Sequence, residues 1–401
     1  MTLGRRFWRF WAAAVLANVG DGIRVAAFPL LAAALSDEPA MVAVVAAAAT
    51  LPWLVTGLVA GSLADRRSRR FLMVSADLGR VLVLGALVAA IATDRATIEA
   101  VAVAAFLLGV GETVRDTAAQ STIPRLVPRA LLERANGRLV AGEVAGNEFV
   151  GPLVGAALFG AGVALPFVAN SGALALAVLL VLSLPAAALA VRDTAAADAA
   201  AIPAGVRAGI RWLARHRRLR ALVLAGLAVA VADSAWFAIF VLYTQQRLAL
   251  GPVGFGVLLA VGAAGGLAGA FAADRLVSGR RHRSVLLWAM AVATMAPVLL
   301  LVAPELWAAV TVVVATSGAF GVFNVVAVSL RHRLVPDALL GRVTASWRTL
   351  VYGGSAAGAV AGGALASVRG LDAPFVLSAA IGALALLGWW RSSAEPSARA
   401  A

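Results

Sequence analysis

Several charged side chains interrupt long apolar stretches of this chain. Asp21 and Arg24 stand three positions apart in ANVGDGIRVAAF. Glu112, Arg115 and Asp116 fall in GVGETVRDTA, Glu143 and Glu148 in GEVAGNEF, Asp233 in VAVADSAWF, and Asn324 and Arg348 further on. Residues three or four apart share one face of a helix. Arg24 can therefore pair with Asp21, and Arg115 with Glu112, which leaves Asp116 for another partner. An apolar environment disfavours the charged form of a carboxylate, so such groups can trade protons near neutral pH. The chemistry on offer is proton exchange. Asp21, Glu112, Glu148 and Asp233 are its candidates, and Arg24, Arg115 and Arg348 are candidates for buried ion pairs. A purely structural pair between helices is the competing reading of Asp21 and Arg24.

Other chemistries find little here. There is no cysteine, and the three histidines, His216, His282 and His332, all lie in arginine-rich segments. Disulfides and thiolate metal sites are excluded. Lysine is absent, so the phosphate-binding loop that needs one cannot form. No nucleophile stands with a base, so an enzyme is not expected, and neither is a metal or a cofactor.

The elements that hold these charges follow from composition. The 401 residues are 62% hydrophobic and 13% charged, with a mean hydropathy of +0.92. A soluble domain carries about 25% charged residues. Twelve apolar runs are long enough to cross a bilayer as helices: 10–35, 39–63, 71–93, 97–119, 138–163, 165–190, 220–246, 251–273, 284–303, 305–330, 343–367 and 371–390. The runs are continuous and rich in Ala and Leu, which argues against barrel strands. The first is too long for a signal peptide and contains Asp21 and Arg24, so it reads as a retained helix. Asp21 lies roughly 16 Å into that run at 1.5 Å per residue, near the midplane. A charge there costs at least about 3 kcal/mol unless it is paired or faces a cavity.

Arginine placement sets the expected orientation. With a cytoplasmic N-terminus, 27 arginines fall inside and only Arg95, Arg247 and Arg369 outside. Arg24, Arg80, Arg115 and Arg348 fall within runs. This asymmetry puts both termini in the cytoplasm and accounts for the net charge of +14 without any nucleic-acid partner. The longest polar break, 191–219, ends in the basic stretch VRAGIRWLARHRRLR, suited to a helix on the inner membrane surface. It divides the chain into halves 1–190 and 220–401. The halves repeat: VPRALLER at 127–134 matches VPDALLGR at 335–342, Asp21 has Asp233, and Asp65-Arg66 has Asp274-Arg275. Duplicated six-helix units are the architecture of many secondary transporters.

GSLADRRSRR at 61–70 resembles the G-x-L-A-D-R-x-G-R-R signature between the second and third helices of the major facilitator superfamily, with Ser68 where the family has glycine. A serine fits there if its φ stays negative. NVGDG at 18–22, VPRALLERANGRL at 127–139 and EFVGPLVGAAL at 148–158 are similar to the bacterial drug-exporter branch that includes macrolide efflux proteins and the enterobactin exporter. The resemblance implies an all-α polytopic membrane protein, with twelve transmembrane helices in two pseudo-symmetric six-helix halves rocking about a midplane site. It also implies a cytoplasmic latch, built on Gly61 and Asp65. Asp65 would meet the start of the eleventh helix near Arg342, and Arg66 and Arg70 would pair with acids such as Asp77 or Asp116. Arg67 and Arg69 are read as obeying the positive-inside rule only. Gly151, Pro152 and Gly155 resemble the fifth-helix motif of antiporters, with Asn147 and Ala156 replacing its first and last glycines.

The function so implied is proton-coupled export of hydrophobic or amphipathic, drug-like small molecules by alternating access. It would be carried out by a monomer in the bacterial cytoplasmic membrane, with the substrate, protons and the lipid bilayer as partners. A siderophore or natural-product exporter, a lysophospholipid flippase, and a non-transporting membrane sensor are the alternatives. Trp53, Phe149, Trp236, Phe237, Phe240 and Tyr243 read singly as packing residues, and Trp389-Trp390 as an interfacial anchor.

Overall fold

The computed structural model describes residues 3–56, 63, 67–185, 211–278, 280 and 282–393. Among these residues the chain is helical throughout. The helices are α1 (Gly4–Leu35), α2 (Pro39–Val55), α3 (Arg69–Ala92), α4 (Ile98–Gln120) and α5, which runs as Leu132–Glu143, a π-helical turn Val144–Val150, and Gly151–Ala161. Next come α6 (Leu165–Leu182), α7 (Arg217–Phe237, resuming as Phe240–Gln246), α8 (Pro252–Ser278) and α9 (His282–Met295, prolonged through Ala296–Val298 and Leu299–Val302). The last are α10 (Leu306–Leu334), α11 (Asp337–Arg369) and α12 (Ala373–Ser393). Each expected run holds one of these helices. Ten of the spans are long and apolar enough to cross a bilayer, and Pro39–Leu54 is a shorter apolar helix. The twelfth, α4, has the length to cross but carries Glu99, Glu112, Arg115 and Asp116.

Local chemistry sets the ends. Ser68 has φ −63° and ψ 134°, and its side chain accepts from the Phe71 N–H, so it caps α3. The departure from the family glycine thus supplies an N-cap. Thr97 caps α4 in the same way. Pro128 and Pro336, from the two copies of the repeated VP motif, share one geometry (φ −60°, ψ 152° and φ −58°, ψ 143°), each opening the next helix. Some boundaries differ from expectation. The α1 helix begins at Gly4, because the Arg, Phe and Trp residues before the apolar run are good enough helix formers to extend it. The described part of α6 ends at Leu182, where Arg70 donates to the Leu182 carbonyl at 2.6 Å and Arg9 to that of Ser183 at 3.4 Å.

The helices sort into two compact units. The first gathers α1, α2 from Ala48, α3 to α6, and α8 as far as Ala260. The second gathers Glu38–Ala47, α7, the rest of α8, and α9 to α12. Each unit packs its helices through small residues. In the first, a Cβ at Gly155 of α5 would lie 2.5 Å from the Ile23 carbonyl oxygen of α1. In the second, a Cβ at Gly362 of α11 would overlap the carbonyl oxygen of Ala235 on α7. Ile23 and Ala235 are separated by the same 212 positions as Asp21 and Asp233. The first and fifth helices of each half thus meet backbone to backbone, at glycines 207 positions apart. This close approach replaces the hydrophobic drive that helices lack in lipid.

Candidate functional site

The interior of the first unit holds seven charged side chains in series. Small residues aim the first of them. Gly20 and Gly22 flank Asp21 on α1. A Cβ at Gly20 would run into the Asn170 side chain of α6, and one at Gly22 would lie 2.6 Å from the Gly146 carbonyl oxygen of α5. With those two sides closed by close packing, Asp21 faces α3 and α4. On α4, Gly111 makes room for a second charge: a Cβ there would lie 2.6 Å from Arg80 Cγ.

Seven residues from three helices then alternate in sign. Glu112 of α4 pairs with Arg24 of α1, and Arg24 stands 3.6 Å from Asp21. Asp21 pairs with Arg80 of α3, whose other nitrogen lies 3.4 Å from Asp77. Asp77 accepts from Arg115 Nε of α4 at 3.1 Å, and Arg115 Nη1 stands 3.5 Å from Asp116. Arg115 Nη2 also donates to the Ala13 carbonyl of α1 at 2.9 Å. The order is Glu112, Arg24, Asp21, Arg80, Asp77, Arg115, Asp116. The middle of the chain is sealed, with the Asp77 side chain at 0% exposure and that of Arg80 at 1%, whereas the end acids reach 12% (Glu112) and 26% (Asp116). Four carboxylates face three guanidiniums, so the fully ionised chain carries one negative charge and a single bound proton makes it neutral. Among the described residues the Nε groups of Arg24 and Arg80 have no hydrogen-bond partner, a shortfall that stability alone does not explain.

Asp116 opens into a cleft of about 60 Å³ at the arginine-rich end of the unit, lined by Phe10, Asn18, Asp116, Gln120, Ile123 and Glu143 among others. That is room for several waters beside polar groups able to hold them. Glu143 ends the first segment of α5, and the π-helical turn follows it. Pro152 has no N–H to offer the carbonyl four residues back, and the π turn ends at Val150, two residues before it. Such turns recur at functional sites. Gly151, Pro152 and Gly155 are buried, with Gly151 packed on Gly22.

Some expected pairings are replaced. Glu112 reaches across to Arg24 rather than to Arg115 on its own helix, because Arg115 is drawn to Asp77 and the Ala13 carbonyl. Arg70 pairs with neither Asp77 nor Asp116 and instead caps α6. Arg69 is not merely a surface charge: it is buried, and its Nε donates to Ser121 at 3.4 Å. Glu148 is exposed on the π turn, and Arg348 is exposed, with its guanidinium 5.9 Å from the Tyr352 ring, so neither is the buried group expected. Asp233 is half-buried on α7 with no ion pair among the described residues. Gly61, Asp65 and Arg66, and the side chain of Arg342, lie outside the described residues. The residue that sequence reasoning passed over is Arg80. Its signal was present: Asp77 and Arg80 have the same three-residue spacing as Asp21 and Arg24. Trp236, Phe240 and Tyr243 are core residues of the second unit, with Trp236 and Phe240 rings 5.2 Å apart.

A helical bundle of membrane-spanning length, duplicated in sequence and packing and threaded by buried charge, is the build of a multi-pass secondary transporter. Residues 4–395 match the family described as transmembrane secretion effector, and the chain belongs to that family of the major facilitator superfamily. It is 27% identical over 372 residues to the multidrug efflux pump Tap of Mycolicibacterium fortuitum, covering 91% of this chain and 90% of that protein. Its fold is similar to that of a bacterial homologue of the iron transporter ferroportin in an inward-facing state, at TM-score 0.76 and 16% identity over 98% of this chain and 100% of that one. It is also similar to a bacterial homologue of the human lysosomal transporter Spinster, at TM-score 0.77 and 14% identity over 96% of each chain.

Proposed function

We propose that the protein exports hydrophobic or amphipathic small molecules in exchange for protons, by alternating access, with both termini in the cytoplasm. The observation that carries this reading is the seven-member charge chain, one proton short of neutrality. In a low-dielectric interior, gaining or losing that proton changes the energy of the whole series, because each charge is balanced by the next. Asp116 exchanges the proton with water in the cleft. Asp21 and Glu112 couple it to α1 and α4 near the midplane. Glu148 and Asp233 stand outside the chain and take a lesser part. The latch of Asp65 and Arg66 against Arg342, and the packing of Gly151, Pro152 and Gly155 on α1, set when the exchange is allowed.

The relative named as a multidrug efflux pump supports the outward direction and a drug-like substrate class. Arg24 and Arg115 are both engaged by carboxylates, which favours uncharged or amphipathic cargo over an anionic siderophore. The test is proton movement in energised everted vesicles on addition of cationic dyes, macrolides or anionic siderophores. A substrate of the protein dissipates the interior acidity with the native chain and fails to do so with Asp21→Asn, Glu112→Gln or Asp116→Asn. Full activity in all three variants would end the proposal.

A further inference from the structure

The second unit carries a groove that the transport reading does not use. It runs between α7 and α12, with a volume of about 590 Å³. Its mouth is ringed by Arg217, Arg220 and Arg391, with Trp389 beside them. Among the described residues its walls are apolar, made of Ala, Leu, Ile and Gly side chains, and none of its lining residues is an acid. The lining positions follow helical spacing on both helices, from Arg217 to Ala228 on α7 and from Arg391 back to Ile381 on α12. The two helices are antiparallel, so the arginine at the start of one meets the arginine at the end of the other.

Depth, charge and exposure agree on the occupant. The eleven residue steps from Arg217 to Ala228 span roughly 16 Å at 1.5 Å per step, about half the ~30 Å hydrocarbon core. The groove is therefore one leaflet deep. Its outer walls, Leu224 at 56% exposure and Leu384 at 70%, are the large apolar exposure expected of a lipid-facing surface. Small residues keep it open: around Gly388 a Cβ would meet nothing within 4 Å. Arg220 donates to the Ala214 carbonyl at 3.2 Å, which ties the mouth to the preceding basic segment, where Arg211 and Arg215 are exposed. The arginine asymmetry places this mouth at the cytoplasmic leaflet.

We propose that the α7–α12 groove binds an anionic phospholipid of the cytoplasmic leaflet, its phosphate on Arg217, Arg220 and Arg391 and one acyl chain along the groove. Guanidinium groups suit phosphate because they offer paired donors, and a tryptophan at the headgroup level suits the rim. The inference does not depend on proton coupling or on the substrate.

The test is native mass spectrometry of the purified full chain, titrated with phosphatidylglycerol and with phosphatidylcholine of identical acyl chains. Each arginine near an anionic headgroup is worth about fivefold in affinity, so the native chain should prefer phosphatidylglycerol by at least about tenfold. The variant R217Q/R220Q/R391Q should bind the two lipids alike. Gly388→Phe fills the groove and should weaken both lipids while leaving the unfolding temperature near native. R5Q/R6Q/R129Q removes the same charge from exposed sites elsewhere and should keep the preference. The proposal is overturned if the native chain shows no preference, if the preference survives the triple groove variant, if the distant variant loses it equally, or if Gly388→Phe binds lipid like the native chain.

Discussion

Arg80 is the hinge of the charge chain, and its removal has a calculable consequence. Its guanidinium is buried between Asp21 and Asp77, 3.4 Å from the latter. At an effective dielectric of about 20, a pair at that distance is worth about 5 kcal/mol of attraction. Much of that offsets the cost of desolvation, but taking away one partner leaves the other charges uncompensated, a loss of about 3–5 kcal/mol. Arg80→Met raises the excess negative charge of the chain from one to two. Its effect should be a fall in unfolding temperature of the order of 10 °C for a unit of this size, followed by tryptophan fluorescence on heating in detergent. Arg80→Met with Asp77→Asn returns the excess to one, and Asp21 keeps Arg24. The double variant should recover at least about 1 kcal/mol relative to the sum of the singles, the coupling expected of neighbours in one network. An Arg80→Met protein that unfolds within about 1 °C of native, or a double variant that is simply additive, would refute the idea that Arg80 balances both carboxylates.

Two further outcomes test the packing around the site. Gly155→Leu should prevent α5 from seating on α1, because even a Cβ would lie 2.5 Å from the Ile23 carbonyl oxygen. A loss of folded yield, or of several kcal/mol in thermal unfolding, is expected for such overpacking, typically about 1–3 kcal/mol and more against backbone. Gly172→Ala, with open space around it, should be neutral or stabilising by up to about 1 kcal/mol. Ser68→Ala should cost about 1 kcal/mol by removing the α3 cap and Ser68→Gly only a few tenths, measured by hydrogen exchange at the amides of the first turn of α3. Equal protection of those amides in the alanine and native chains would show that the hydroxyl contributes nothing there.

The helices were legible because nothing but lipid-exposed or lipid-buried helix explains runs of twenty apolar residues. The interruptions inside them were not. The π turn at Val144–Val150 depends on how α5 meets Gly22, and the break in α7 at Ala238 and Ile239 has no glycine or proline to announce it. The acids of the site stood out for the same reason as the helices: a charge in an apolar run is rare. Their partners were harder to read, because spacing along one helix competes with neighbours on others. Asp21 and Arg24 do meet within α1, whereas Glu112 and Arg115 share a face and yet turn away from each other toward Arg24 and Asp77. Arg348 illustrates the opposite limit. Its run told that it lies in α11 but not which side of α11 it occupies.

The two halves share packing but not chemistry, and this locates the chemistry. The backbone approach of Gly155 to Ile23 recurs as Gly362 to Ala235. At the 212-residue offset that relates Ile23 to Ala235, Arg24 corresponds to Trp236, and at the 208-residue offset of the VP motif Glu112 falls on Phe320, Arg115 on Phe323 and Asp116 on Asn324. Asp21 alone keeps its identity, as Asp233. Trp236 is fully buried, its ring 5.2 Å from Phe240 and 6.1 Å from Phe375. At the position of Arg24 the second unit thus carries a buried aromatic ring in place of an ion-pair member. An aromatic core stabilises by burial and asks for no partner of opposite charge. A chain of alternating charges costs more to bury and returns less stability than apolar side chains would. On the proposed reading, a charge chain held in one half only, with an end acid opening on a cleft, serves as a proton path rather than as a structural brace.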